Sequence, residues 1–141
     1  MATSRGFTEF AKRMSVVSDY FIGNVNRRMR RAAIAADQAI VLGTPVDTGR
    51  ARANWIVSIG SPDLTTNDNT DPGGDAAIQQ GVATINGWKV GRGSIFLSNS
   101  LPYIVPLEEG SSAQAPNGMT KFAIQAAETE LGRGSLFSAV R

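Results

Sequence analysis

Apolar residues recur at helical spacing over the first third of this chain: Phe7, Phe10, Met14, Val17, Phe21, Val25, Met29, Ala32, Ala36 and Ile40. That stripe predicts one long helix running to about Leu42, where Gly43 and Pro45 supply the stop. Its length is the strongest constraint on the fold. Continuous from Phe7 to Leu42 it would run roughly 54 Å at about 1.5 Å per residue, whereas a compact domain of this size is only about 35–40 Å across. Either the helix breaks, at Gly23-Asn24 or within Ser15-Val16-Val17-Ser18, or one end projects onto a neighbour. Both outcomes leave the segment before about Ser15 free to reach a partner. Phe7, Phe10 and Met14 would then be uncovered in a monomer, which is unfavourable enough to drive docking.

The remaining punctuation predicts smaller elements. Two dense turn segments stand out, Thr44-Pro45-Val46-Asp47-Thr48-Gly49-Arg50-Ala51-Arg52-Ala53-Asn54-Trp55 and the stretch from Ser98 through Asn99, Pro102, Tyr103, Glu108, Glu109 and Gly110 to Pro116, Gly118 and Met119. In the first, Asp47 or Thr48 is expected to cap a short helical turn, with Asp47 accepting backbone N–H groups. Trp55-Ile56-Val57-Ser58-Ile59 and Ser94-Ile95-Phe96-Leu97-Ser98 read as strands. Asp75 opens a helix carrying Ile78, Val82 and Ile85; Pro102 opens a short one closed by Gly110; Asn117 caps a last one ended by Gly132 and Gly134. Residues 61–74 have only Leu64 to bury, so their order is expected to come from neighbouring molecules. Pro45, Asp47, Thr48, Gly49, Asn99, Pro102, Gly110, Pro116 and Gly118 are thus structural turn residues, and Trp55, Tyr103 and Met119 core anchors.

The 141 residues suit a single α+β domain, a long N-terminal helix packed on a small antiparallel sheet with further covering helices. Segment 1–15 and loop 61–74 are its expected contact elements. Two strands make a marginal sheet alone. Either a third lies near Trp88-Lys89-Val90 or neighbouring subunits complete it.

Composition removes whole classes of chemistry. Cysteine and histidine are absent, which excludes thiolate nucleophiles, disulfides, the usual nitrogen–sulfur zinc sites and the side chain best suited to proton transfer near neutral pH. No apolar run approaches the roughly 20 residues of a membrane span, and no signal peptide is visible, so a soluble protein made in the cytoplasm is expected. Charged residues make up 18% of the chain and the formal charge is only +2, so net charge does not by itself call for nucleic acid.

Three local features were candidates for chemistry. Asp47, Glu108 and Glu109 are the carboxylates of the dense segments, but adjacent glutamates on a helix diverge by about 100° and cannot share one substrate face; one of them is expected to pair with an arginine. Gly91-Arg92-Gly93-Ser94 and Gly132-Arg133-Gly134-Ser135 lack the lysine of a phosphate loop and read as turns. Arg27, Arg28, Arg30 and Arg31 form a run that serves as a solvated face, an inter-subunit strip or a DNA contact. Arg50 and Arg52 are expected to lock the Asp47 loop or to dock on a neighbour's glutamate. No catalytic, metal or cofactor residue is assigned, and no cofactor is expected.

The Thr-Pro-Val-Asp-Thr-Gly-Arg-Ala-Arg-Ala-Asn-Trp segment after a long helix, a strand ending in Asn-x-x-Pro-Tyr, then Leu-Glu-x-Gly-Ser-Ser and Gln-Ala-Pro-x-Gly-Met, resembles the neck or tail-completion proteins of tailed bacteriophages over about Ala36 to Ala127. The resemblance implies a non-enzymatic virion subunit that forms a homo-oligomeric ring of six or twelve copies at the head–tail junction. Its partners would be the portal, the connector or head-closure proteins and the tail tube or terminator, with a passing contact to packaged DNA and none to membrane. A DNA-binding protein using the 27–31 run is the alternative.

Overall fold

The computed structural model describes residues 2–133, with side chains from residue 5 onward. Helix α1, Ala2–Gly43, is continuous for 42 residues, about 63 Å at the standard rise. It breaks at neither expected place. Residues 5–19 are exposed on every face, and the body of the domain begins near Asn24, which is buried. The first half of α1 therefore projects as an arm of roughly 30 Å.

After α1 come α2 (Arg50–Ala53), β1 (Ile56–Ile59), α3 (Asp75–Asn86), β2 (Ile95–Ser98), α4 (Ile104–Glu108) and α5 (Thr120–Leu131). The strands form a two-stranded antiparallel sheet, with Ile56 opposite Ser98 and Ile59 opposite Ile95. This is the expected α+β class. No third strand is present among the described residues. Trp88 instead lies in the turn after α3, buried, with its indole N–H donating to the Gly93 carbonyl at 2.8 Å. Gly134 and the tail beyond it lie outside the described residues.

The core gathers Ile40 and Val41 of α1, Ala51 and Trp55, Ala77 of α3, Leu101 and Ile104, and Met119 and Ala123 of α5. Its two layers are helical: α1 packs along α5 and α3, and α3 in turn covers β1. The approach of α1 to α3 requires Gly81, where a Cβ would collide with the Asp37 carboxylate and with Val57. Trp55 and Met119 are buried, but Tyr103 is 39% exposed and is not a core anchor. It occupies the N-cap position of a helix only five residues long and stands at the rim of a cleft.

Caps differ from expectation in an instructive way. Asn117 is exposed and does not cap α5. Glu108, from the end of α4, reaches across and accepts from the Met119 N–H at 2.8 Å and from the N–H and hydroxyl of Thr120. It makes no arginine pair. A carboxylate there meets both the orphan N–H groups and the positive end of the α5 dipole. Partial burial works against its ionisation, yet the Thr120 and Met119 hydrogen bonds outweigh that and hold the carboxyl below the ordinary glutamate range. Stability from this cap is present above that range and is lost as pH falls through the depressed value. Glu108→Gln keeps the shape and loses the charge. It should cost about 1 kcal/mol, read as a lower urea midpoint at pH 7, and the loss should shrink toward pH 3.

Candidate functional site

The two dense segments meet in space. The side-chain amide of Gln114 brackets Val46, accepting from its N–H at 2.9 Å and donating to its carbonyl at 3.1 Å. Asn99 donates to the Ala51 carbonyl at 2.8 Å while accepting from the Leu101 N–H. Between them lies an open cleft of about 270 Å³, walled by Pro45 to Ala51 on one side and by Tyr103, Leu107, Ser112 and Gln114 on the other. Asp47 is exposed on this wall and makes none of the turn's hydrogen bonds; the nearest capping contact is Thr48 Oγ1, which accepts from the Arg50 N–H at 3.3 Å. Asp47 is therefore not the cap that its position suggests.

Gly49, Gly110 and Gly118 all hold positive φ. At Gly49 the demand is double, because φ is 89° and a Cβ would lie 2.5 Å from the Pro72 nitrogen. That contact brings loop 61–74 onto the start of α2. Gly49 also accepts from the Asp71 N–H at 3.1 Å. The buried amide of Asn54 accepts from the Asn67 N–H at 2.8 Å and donates to the Asn67 carbonyl at 3.0 Å. Arg50 donates to that same carbonyl and pairs with Asp68 at 3.0 Å. The second half of the loop is thus tied to its own domain, against the expectation that neighbours order it. Side-chain anchors replaced the hydrophobic burial that the loop lacks.

Arg52 likewise serves its own chain. Its guanidinium donates to three carbonyls: Thr44 at 2.9 Å, Leu42 at 2.8 Å and Pro72 at 2.7 Å. The first two close the C-terminal end of α1, whose last turn carries no basic residue of its own. The arginine run is divided in the same fashion. Arg28 donates to the Leu131 and Arg133 carbonyls at the end of α5, and Arg30 to the Trp88 carbonyl just beyond α3. Arg27 bonds Asn24 on its own helix. Arg31 is exposed. Arg28, Arg30, Arg50 and Arg52 therefore bond carbonyls at helix ends and in a loop of their own chain, and for Arg50 and Arg52 that is nearer the expected locking role than docking on a neighbour's glutamate.

Two surfaces remain uncommitted. One is the arm, where Phe7 is 75% exposed, Phe10 60% and Met14 50%. The other is an apolar groove of about 430 Å³ bounded by α1, α5 and β2, lined by Met29, Ala32, Ala33, Ala36, Trp88, Ile95, Leu97, Ala127 and Leu131. Glu109 is exposed and separate from Glu108, so the two glutamates do not act together. Among the described residues no group of three acidic side chains converges as a metal cluster would require, and no helix is long and apolar enough to cross a membrane.

One titratable residue was not foreseen. Asp37 lies on α1 between Ala36 and the core pair Ile40 and Val41, 1% exposed, with its Oδ2 buried and without a hydrogen-bond partner. Its only sequence signal is position, an acid inside the buried half of a helix stripe. Burial pushes its carboxyl up to about 7. Compared with protein-family models, curated proteins and solved structures, the chain matches none of them.

Two measurements follow from this geometry. Replacing the three-carbonyl fork by a point charge, Arg52→Lys, should cost about 2–4 kcal/mol in chemical denaturation, since each charged hydrogen bond contributes on the order of 1.5–3 kcal/mol. A lysine variant as stable as the parent would mean that charge, not the fork, closes α1. For Asp37 the sign runs from the raised pKa: between about 3.8 and 7 the folded chain holds a proton that the unfolded chain has lost. This group's contribution therefore falls as pH rises through that window, by up to about 1.4 kcal/mol per unit, and is level above it. Asp37→Asn should melt progressively higher relative to the parent from pH 5 to about pH 7 and hold that lead at pH 8. A constant difference across that range would show that the carboxylate is not held neutral.

Proposed function

We propose that this chain is a structural subunit of the head–tail junction of a tailed bacteriophage, forming a homo-oligomeric ring in the neck or at the completed end of the tail. The observation that carries the reading is the projecting arm. A body of this size has its loops locked by its own side chains, yet extends about 30 Å of helix on which Phe7, Phe10 and Met14 are half or more exposed. An uncovered stripe of large side chains is a surface for another molecule. The turn motifs that resemble the neck and tail-completion proteins support the same reading, because they meet around one cleft and fix the backbone there.

In this role the chain acts by shape. The locked body gives each subunit a fixed form, and the arm and groove supply contacts beyond its own radius. The portal, connector and tail-tube or terminator proteins are the partners that this position in a virion provides. The competing reading, DNA binding through residues 27–31, is weakened by Arg28 and Arg30, whose guanidinium groups already close helix ends.

Cryo-electron microscopy of purified virions tests the proposal. The chain should occupy a symmetric ring at the junction of head and tail, and its peptides should co-purify with particles at a fixed ratio to the portal. Virions free of the chain would overturn the reading.

A further inference from the structure

The arm's stripe has a finer pattern than amphipathicity. Phe7, Phe10, Met14, Val17 and Phe21 follow one another at intervals of 3, 4, 3 and 4 residues. That spacing makes a narrow seam of large knobs, which suits insertion between other elements rather than spreading on a flat surface. The groove is its counterpart. Ala32, Ala33, Ala36, Gly93 and Ala127 leave it open, and Met29 and Leu131 stand at its edges, 38% and 41% exposed. The arm presents large apolar groups and the groove provides space between small ones.

We infer that the arm of one copy of this chain lies in the groove of a second copy. The inference rests on the ring reading above and names the joint between its neighbours. Within one chain the two cannot meet, because α1 runs unbroken from the arm into the wall of the groove. At roughly 150–250 Å² per aromatic side chain, the exposed fractions of the five seam residues offer roughly 400–600 Å². A standard interface takes about 800 Å² from each partner. The seam thus provides the apolar centre of such a contact, with Arg13 and Tyr20 beside it to complete the rim. The contact is heterologous: each subunit gives an arm to one neighbour and a groove to the other. Repeated with a closing rotation, such contacts make a ring, and without closure a filament.

The test uses complementary defects. Phe10→Glu together with Phe21→Glu disables the arm and leaves the groove, while Ala33→Trp fills the groove and leaves the arm. The full-length parent should form concentration-dependent oligomers by light scattering, and each variant alone should be monomeric with a melting temperature close to the parent's. Mixed at equal ratio, the two variants should form a discrete heterodimer, because one intact arm and one intact groove remain. The natural absence of cysteine permits a second readout that does not depend on the tryptophan variant. Phe10→Cys and Ala127→Cys proteins, mixed and oxidised, should give a cross-linked heterodimer in preference to either homodimer. A monomeric parent, a mixture that stays monomeric, or cross-linking dominated by Phe10→Cys to itself would each overturn the arm-in-groove joint. The ring reading stands or falls separately, on whether virions contain the chain.

Discussion

The architecture depends on how the C-terminal end of the long helix is received. Any helix leaves its last carbonyls without intrahelical partners, and here side chains of the same chain take them. Thr44 is 1% exposed and donates its hydroxyl back to the Ile40 carbonyl at 2.6 Å. The same oxygen accepts from the indole of Trp55 at 2.8 Å, while Arg52 takes the carbonyls of Leu42 and Thr44. One short helical turn therefore supplies a planar cation and an indole donor to one helix terminus. The third carbonyl on Arg52 belongs to Pro72, so closing the helix also draws in the loop. Helix end, first strand and long loop are fixed together, which explains why residues with almost nothing apolar to bury still have a defined path.

Sequence patterning carried the elements further than it carried their contacts. Helix periodicity, β-rich runs and the Gly and Pro punctuation placed α1, α3, α5 and both strands to within a few residues, because each signal is local. The helix-length argument even posed the right alternative, and the projecting outcome is the one found. What escaped were contacts between residues far apart in sequence. Glu108 caps a helix that begins twelve residues later, while the local candidate Asn117 does not. For Arg50 and Arg52 the sequence left loop locking and docking on a neighbour both open, because an arginine on a polar turn carries no mark of the carbonyls it will meet. Tyr103 failed as a core anchor, and Trp88 went unnamed as one, for a similar reason: aromatic identity signals burial only on average, and the fold decides which ring faces inward. Asp37 was invisible as a buried acid because its partner surface is a glycine on another helix.

That acid also qualifies how tightly the body is built. An orphaned carboxyl oxygen between α1 and α3 is a cost the packing tolerates by keeping the group protonated through the acidic range. The body is therefore firm where guanidinium and amide groups satisfy carbonyls, and weaker where α1 crosses Gly81. The arm differs again. It needs no nucleation of its own, since it grows from a helix already fixed at its base. Yet Gly23 and the β-branched Val16 and Val17 lower its intrinsic helicity, and its residues 5–19 are exposed. Covering the seam would lift the cost of exposed apolar surface and suppress fraying in one step.

The sheet adds direction to this picture. Gly60 donates to the Ser94 carbonyl, and the register pairs Ser58 with Phe96 and Ile56 with Ser98. Alternation along an antiparallel pair then turns the Val57 backbone groups outward. Gln80 brackets them, accepting from the Val57 N–H at 3.1 Å and donating to its carbonyl at 2.9 Å. The outer edge of β1 is thereby closed to another chain, as edge strands commonly are. On β2 the same alternation turns Ile95 and Leu97 outward, and no described side chain brackets them. Those two residues also line the apolar groove. A subunit with one closed edge, one open edge and an arm at a distance has two unlike faces, and unlike faces favour head-to-tail contacts over two-fold pairs.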